Sequence, residues 1–464
     1  MRSPPVAHCP GRGESRAERG TGLVGRAARA GGTGSPGPHL PARAFVNRAA
    51  VVMPAPSAGR ISDVRATTVA VPLEAPLRHA NGVHPGYFVR TLVEVETDEG
   101  LVGLGEVGGG GNSAAQAVEA LRPTLLGEDP YALERLRWKC ANPVQALYVP
   151  LEQMFAAIEF ACLDIQGQVA GRPVSDLIGG RLRARVPFAA YLFYRHVAAG
   201  AGGERDAETM VAHAGDLVAR YGFRTLKLKG GVHPPDHDVE VVTALRRAFP
   251  AARLRLDPNS VWSVEDAIRV AKRCEPIGLE YLEDPTWGLA GMARVSRNTW
   301  IPTATNTVVV HFDQVPAAVA LQAVGVILVD PHFWGGILGA KKLAGVAETF
   351  NLGLGMHSGG ELGVSLAAML HFAAATPNLA FAADAHYHHL RDDVIAGGPF
   401  RYEDGAIAVP TAPGLGVRLD ADKVGRYAEA FARQGAYDYH QDPRRPGWFV
   451  VFPGDSERYA APGT

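Results

Sequence analysis

The residues able to do chemistry recur at one kind of place in this sequence, the polar end of a short apolar run. In "RTLKLKGG" Lys227 and Lys229 stand two apart, and alternate side chains on a strand share a face, so both ammonium groups point the same way. Further runs end at Asp257 ("RLRLDPNS"), Glu283 ("LEYLEDP"), Asn306 ("IPTATN"), Asp330 ("GVILVDPHF"), His357 ("LGLGMHSGG") and Asp384 ("LAFAADAHYHH"). Asp257, Glu283 and Asn306 offer three oxygen donors without cysteine or histidine, a set that favours Mg²⁺ or Mn²⁺ over zinc. Two crowded lysines beside a metal lower one another's pKa, which leaves Lys229, nearer the strand's end, as a base. Lys227 then lies one layer deeper, as its electrostatic neighbour or as a contact to a substrate carboxylate. Asp330 and His357 end adjacent runs, where a carboxylate can hold a ring nitrogen and fix the tautomer. Lys229 and His357 on opposite sides of a metal-bound carboxylate would make a site for proton abstraction. Singly, each residue could equally cap a following helix; their shared position argues for a site.

Something must bring these ends together. From Lys229 to Asp384 they are spaced by 28, 26, 23, 24, 27 and 27 residues, the length of one strand, one loop and one helix. With "VPFAAYLFYR" at the start there are eight runs, and eight parallel strands with intervening helices most simply close into a (β/α) barrel, whose strand ends gather at one mouth. An open doubly wound sheet is the alternative, but no GxGxxG follows a first strand. The expected fold is therefore α/β, a modified TIM barrel over 186–410. Ahead of it, over 58–185, strands ("SDVRATTVAVPL", and "YFVRTLVEVETDEGLVGLGEV" turning at Asp98-Glu99-Gly100) precede helices, the pattern of an α+β capping domain. The segment 411–464 is expected to return to the cap, whose His84, Tyr87 and Phe88 would form a lid.

Composition narrows the partners. Lys and Arg total 46 against 47 Asp and Glu, which gives no overall charge for nucleic acid or an anionic membrane. Four scattered cysteines without a CxxC pair predict free thiols and a cytoplasmic setting, and no apolar run is long enough to span a bilayer. The first 52 residues carry eight Arg, no Lys and only two Glu, with frequent Gly and Pro. They read as disordered, or as an over-extended start ahead of Met53.

The ordered motifs "AYLFYR", "LKLKGG", "LDPN", "EDP", "PTATN", "DPHFWGG", "HSGG", "DAH" and "VPTAPGLGV" resemble the enolase superfamily over about 58–420, in its mandelate racemase-like branch and there the glucarate dehydratases. The resemblance implies Lys229 as general base, His357 with Asp330 as opposing acid/base, and Asp257, Glu283 and Asn306 as Mg²⁺ ligands. It also implies substrate contacts from His84, Lys227, Asn259 and His332; Tyr191 and His386 are further candidate contacts, with Asp384 and His386 lining the mouth. The implied reaction is dehydration of a sugar acid or diacid, D-glucarate above all, to a keto-deoxy product; a dehydratase or epimerase of another sugar acid is the alternative. Gly359 and Gly360 replace an Asn-Asn pair typical of glucarate dehydratases, and "TWGLAGMAR" lacks the further acid some relatives carry, so Glu283 is the expected second ligand. Muconate cycloisomerases resemble the chain less, since they carry a lysine where Asp330 stands, and a non-catalytic barrel has no need of two opposed bases. "DAHYHHL" invites a second metal, but strand alternation would send His386 and His388 to one face and His389 to the other. The sequence is compatible with a homo-oligomer.

Overall fold

The computed structural model describes residues 57–109, 111–142, 144 and 151–454. Cys9 and the Arg-rich leader lie outside them. The first sheet is antiparallel, with Tyr87–Thr97 between Ile61–Pro72 and Val102–Gly108. Gly100, at φ 77°, makes its hairpin turn, a conformation that costs glycine little. The helix Glu152–Ala170 lies on this sheet and is buried on almost every side. Gly103 and Gly105 permit the approach, because a Cβ at either would stand 2.0 Å from a carbonyl oxygen of the helix. Glu159 of the same helix accepts from Ile337 and Leu338 backbone N–H groups, the latter at 3.2 Å. It thereby caps the barrel helix Ile337–Thr349 and fastens the cap to the barrel. Burial pushes the Glu159 carboxyl up to about 8.

The barrel sheet contains seven parallel strands, in chain order Ala189–Leu192, Thr225–Lys229, Arg253–Asp257, Tyr281–Glu283, Thr303–Thr305, Val326–Val329 and Gly353–Met356. The eighth run departs from the expected strand. Segment 379–384 makes single bridges, Leu379 to Leu354 and Ala383 to Phe188, and Asp384 N donates to Met356 O at 3.0 Å. It joins the last strand to the first, but its alanines have little preference for an extended ladder. The first run is also divided. Arg185–Pro187 pairs with Ala406–Ala408, and Tyr194–Arg195 pairs with the hairpin strand Leu77–His79, leaving Ala189–Leu192 for the barrel.

Outer helices are capped by side chains, such as Asp206 and Thr209 reciprocally bonded at the start of Ala207–Tyr221 and Ser263 accepting from Asp266 N before Val264–Cys274. The C-terminal helix Ala421–Gln434 sets Phe431 against Ala70 and Val89. Beyond it the chain crosses the hairpin formed by Leu77–His79 and Gly82–His84, where Val83 N donates to Tyr439 O at 3.2 Å. The described residues belong to one compact unit. Among the described residues no helix is long and apolar enough to cross a membrane, and Cys140, Cys162 and Cys274 are free and buried.

Candidate active site

Strand register builds the site in two layers. Lys227 lies beside Tyr191 and Arg255 on the neighbouring strands, and Lys229 beside Asp257. In the lower layer Lys227 Nζ stands 2.8 Å from Asp384 Oδ2, 2.5 Å from Glu283 Oε2, 3.4 Å from Asp257 Oδ2 and 3.1 Å from the Tyr191 hydroxyl. Burial disfavours its charge, yet Asp384, Glu283 and Asp257 together outweigh burial and raise its pKa. The mutual depression expected of the two lysines therefore does not govern Lys227, because three carboxylates lie closer to the point than the sequence pattern showed. Tyr191 and Asp384 belong to this lower layer and are not part of the cavity wall, contrary to the expectation that they face substrate. Arg255 completes it, with Nε 2.7 Å from Glu280 Oε2 and Nη1 3.1 Å from Asp384 Oδ1.

In the upper layer Lys229 Nζ donates to Asp257 Oδ2 at 2.5 Å, and Asn259 N donates to Asp257 Oδ1 at 2.9 Å. Burial and the adjacent Asp257 push the Glu283 pKa well up. Lys227 approaches Glu283 Oε2 off the line of a hydrogen bond, so that oxygen has no donor. The Asn306 amide stands 3.0 Å from Glu283 Oε1 and 2.8 Å from Asp284 Oδ2 by one terminal atom, and 3.0 Å from His357 Nε2 by the other. With its nitrogen toward the carboxylates, it donates to both and accepts from His357; holding a cation beside Glu283 would require the reverse orientation, with the amide oxygen toward that carboxylate. Asp284 fixes the turn that presents this amide, accepting from Thr305 Oγ1 at 2.5 Å, Thr307 Oγ1 at 2.8 Å and Asn306 N at 3.0 Å. Converging carboxylates and a Glu283 pKa raised by burial and then by the neighbouring Asp257 fit a hard divalent cation held by Asp257, Glu283 and Asn306.

Across the mouth, His357 Nδ1 is 2.9 Å from Asp330 Oδ2, and its ring stacks on Phe333 at 5.4 Å. The other oxygen of Asp330 lies 2.8 Å from His332 Nδ1 and accepts from His332 N at 2.9 Å. Burial alone would raise the Asp330 pKa, but His332 and then His357 hold it far below the usual carboxylate range. His332 differs from its expected place. Its Nε2 is 3.1 Å from Glu106 O and 3.0 Å from Ser365 Oγ, so both ring nitrogens are engaged within the protein. It supports Asp330 from the cap side and does not line the cavity.

The cavity above has a volume of about 450 Å³, within the size of small-molecule sites. Lys229, Asn259, Asn306 and His357 reach it from the barrel, joined by His386. The cap supplies His84 and Phe88, together with His79 and Arg90, which sequence reasoning missed. Tyr437 and Tyr439 enter from the C-terminal segment, their hydroxyls 2.7 Å from His84 Nδ1 and 3.0 Å from His79 Nδ1. Burial drives the His84 pKa down to about 3 and that of His79 well down. Both rings are therefore neutral, and a tyrosine O–H donating to Nδ1 leaves the proton on Nε2. Tyr87, expected on the lid, packs on Tyr437 at 5.4 Å. His386 is likewise kept neutral by burial, with Nδ1 2.7 Å from Ser358 Oγ.

The histidines after it correct the alternation argument. Tyr387–His389 is a 3₁₀ turn, so His388 and His389 lie together at 4.2 Å between rings, both with Nε2 toward Tyr191 O at 3.4 and 3.1 Å. Among the described residues no cluster of three His, Cys, Asp or Glu could hold a metal by itself, and the Asp257, Glu283 and Asn306 set includes an amide.

Comparison with known proteins bears on this geometry. The mandelate racemase / muconate lactonizing enzyme N-terminal domain matches residues 61–179, and the enolase C-terminal domain-like family matches 209–423. A Streptomyces coelicolor protein named probable glucarate dehydratase is 39% identical over 78% of this chain and 90% of its own length. An enolase from Mycobacterium smegmatis, crystallised with tartrate, superposes with a TM-score of 0.78 at 43% identity, covering 82% of this chain and 94% of that one. One from Thermobispora bispora, crystallised with magnesium and formate, gives 0.78 at 43% identity over 87% and 96%.

Proposed function

Because the chain belongs to the mandelate racemase / muconate lactonizing enzyme branch of the enolase superfamily, we propose that it is a Mg²⁺-dependent acid-sugar dehydratase, a hydro-lyase acting on D-glucarate or a close relative. The observation that carries this reading is one cavity lined by Lys229, Asn306 and the Asp330-held His357. Magnesium held by Asp257, Glu283 and Asn306 would stabilise the negative charge that builds on the substrate carboxylate as its α-proton leaves. The magnesium and tartrate bound by the two neighbours support a metal-assisted site for hydroxy acids. Asp330 in place of a lysine at the end of the sixth barrel strand speaks against a cycloisomerase with a lysine there.

Lys229 takes the α-proton from one side. Lys227, kept cationic by its three carboxylates, lies beneath and lends positive charge to the same end. On the other side Asp330 accepts from His357 Nδ1 and stabilises the imidazolium, so that Nε2 can deliver a proton to the β-hydroxyl. The C–H and C–O bonds break, water departs, and the enol tautomerises to a keto-deoxy acid. Neutral His84 offers an N–H to hydroxyls further along the chain.

Exchange of the α-proton in D₂O tests the first half apart from the second. His357→Ala should still let Lys229 incorporate solvent deuterium from its side while product formation stops, and Lys229→Ala should lose that exchange. Equal exchange by wild type and Lys229→Ala would remove Lys229 as the base.

A further inference from the structure

The cavity holds a cation that the steps above leave unused. Arg90, on the cap strand Tyr87–Thr97, lines the same cavity as Lys229 and His357 and is only 4% exposed. Two of its three nitrogens are fixed: Nε donates to Glu106 Oε1 at 2.6 Å and Nη2 to Ser365 Oγ at 3.3 Å. Glu106 cannot turn away, because it also accepts from Leu362 N and Ser365 N, each at 2.8 Å. The guanidinium is thus held in one orientation, and among the described residues Nη1 has no acceptor.

The surroundings leave that nitrogen uncovered. Arg90 pairs with Gly108 across the hairpin, and a Cβ at Gly108 would stand 2.0 Å from Nη1. Gly109 and Gly111, which follow Gly108 in the chain, line the same cavity. Here a preorganised donor with a fixed charge is presented to the ligand space, the arrangement that favours a carboxylate over a neutral hydroxyl.

We propose that Arg90 binds a second carboxylate of the substrate, one that takes no part in proton transfer, and so selects hydroxylated dicarboxylates over the matching monocarboxylates. The assignment of a reacting carboxylate at the Lys229 end rests on the dehydratase reading; the anion site at Arg90 does not.

The test uses the full, magnesium-loaded chain with D-glucarate and D-gluconate, which share a carbon skeleton and differ at the terminal carboxylate. Arg90→Lys keeps a charge against Glu106. The pair Arg90→Met with Glu106→Gln removes both charges together, so that no carboxylate is stranded in the core. In both variants the preference in kcat/KM for the diacid should fall roughly 10- to 100-fold. The loss should arise in KM, with kcat for the diacid held within threefold. An unchanged preference, through equal loss on both acids or none on either, would show that Arg90 serves only to hold Glu106 and would overturn the proposal. If wild type dehydrates neither acid, the reaction reading fails by itself. Calorimetric dissociation constants of the two acids then decide the Arg90 site: a diacid preference that falls in the variants supports it, and the absence of any preference in wild type overturns it.

Discussion

Replacing Asp330 by asparagine isolates the charge in the His357 pair. The native carboxylate meets three donors: His357 Nδ1 at 2.9 Å, His332 Nδ1 at 2.8 Å and His332 N at 2.9 Å. An amide has one acceptor oxygen, and the His332 side offers it two donors. Its NH₂ is left to face His357, whose Nδ1 must then accept. The proton moves to Nε2, and the imidazolium loses the anion that stabilised it. A hydrogen bond to a charged group is worth about 1.5–3 kcal/mol, and about 1.4 kcal/mol is tenfold in rate, so lost charge accounts for roughly 10- to 100-fold. The inverted tautomer adds to this, as a comparable exchange in a serine-protease triad costs about 10⁴. The expected fall in kcat is about 10³, with KM within a few fold. The assay is steady-state formation of keto-deoxy product under saturating Mg²⁺, with circular dichroism confirming the fold. A folded variant whose kcat stays within fivefold of wild type would refute the role given to Asp330.

Three other substitutions probe the surroundings. Lys227→Met leaves Asp257, Glu283 and Asp384 buried without their shared cation; chemical denaturation should show a loss of about 3–5 kcal/mol, part of it returned by magnesium, and a loss under 1 kcal/mol would contradict the electrostatic account. Asn306→Asp adds a negative charge to the donor set and should slow the diacid more than the monoacid; unchanged diacid turnover would dismiss the idea that the amide suits a dianion. The Glu159 carboxyl, raised from 4.5 to about 8, keeps its proton in the folded chain where the unfolded chain has lost it. Stability should therefore decline as pH rises across that window, by on the order of 1.4 kcal/mol per pH unit at most. Glu159→Gln should flatten this part of the pH profile, read from denaturation midpoints, and an unaltered slope would place the titration elsewhere.

How much of this could be read in advance follows from the range of each interaction. Period-2 alternation puts Lys227 with Lys229, and Asp257, Glu283 and Asn306 each close a strand, so one line of sequence carries their common face. The same alternation in "RLRLD" places Arg255 beneath Asp257. Likewise the turn at Asp98–Gly100 sets Arg90 opposite Gly108 and Leu92 opposite Glu106, which makes Arg90 and Glu106 diagonal neighbours on one face. His332 was beyond such reasoning, because its ring is held by Glu106, 226 positions away. The lower place of Tyr191 depends on Asp384 and Lys227 closing beneath the mouth, and Tyr437 and Tyr439 come from a stretch with no periodic pattern. His388 and His389 defeated the alternation rule because the chain leaves extended geometry there for a 3₁₀ turn.

The central claim is that Lys229 and His357 act on a magnesium-bound sugar acid from opposite sides. It is tested most directly by assaying a library of sugar mono- and diacids for keto-deoxy product with Mg²⁺, in wild type, Lys229→Ala and His357→Ala. The account predicts product from D-glucarate or a close relative, dependent on magnesium and absent in both variants. No product and no solvent deuterium in any acid, or turnover that survives either substitution, would contradict it.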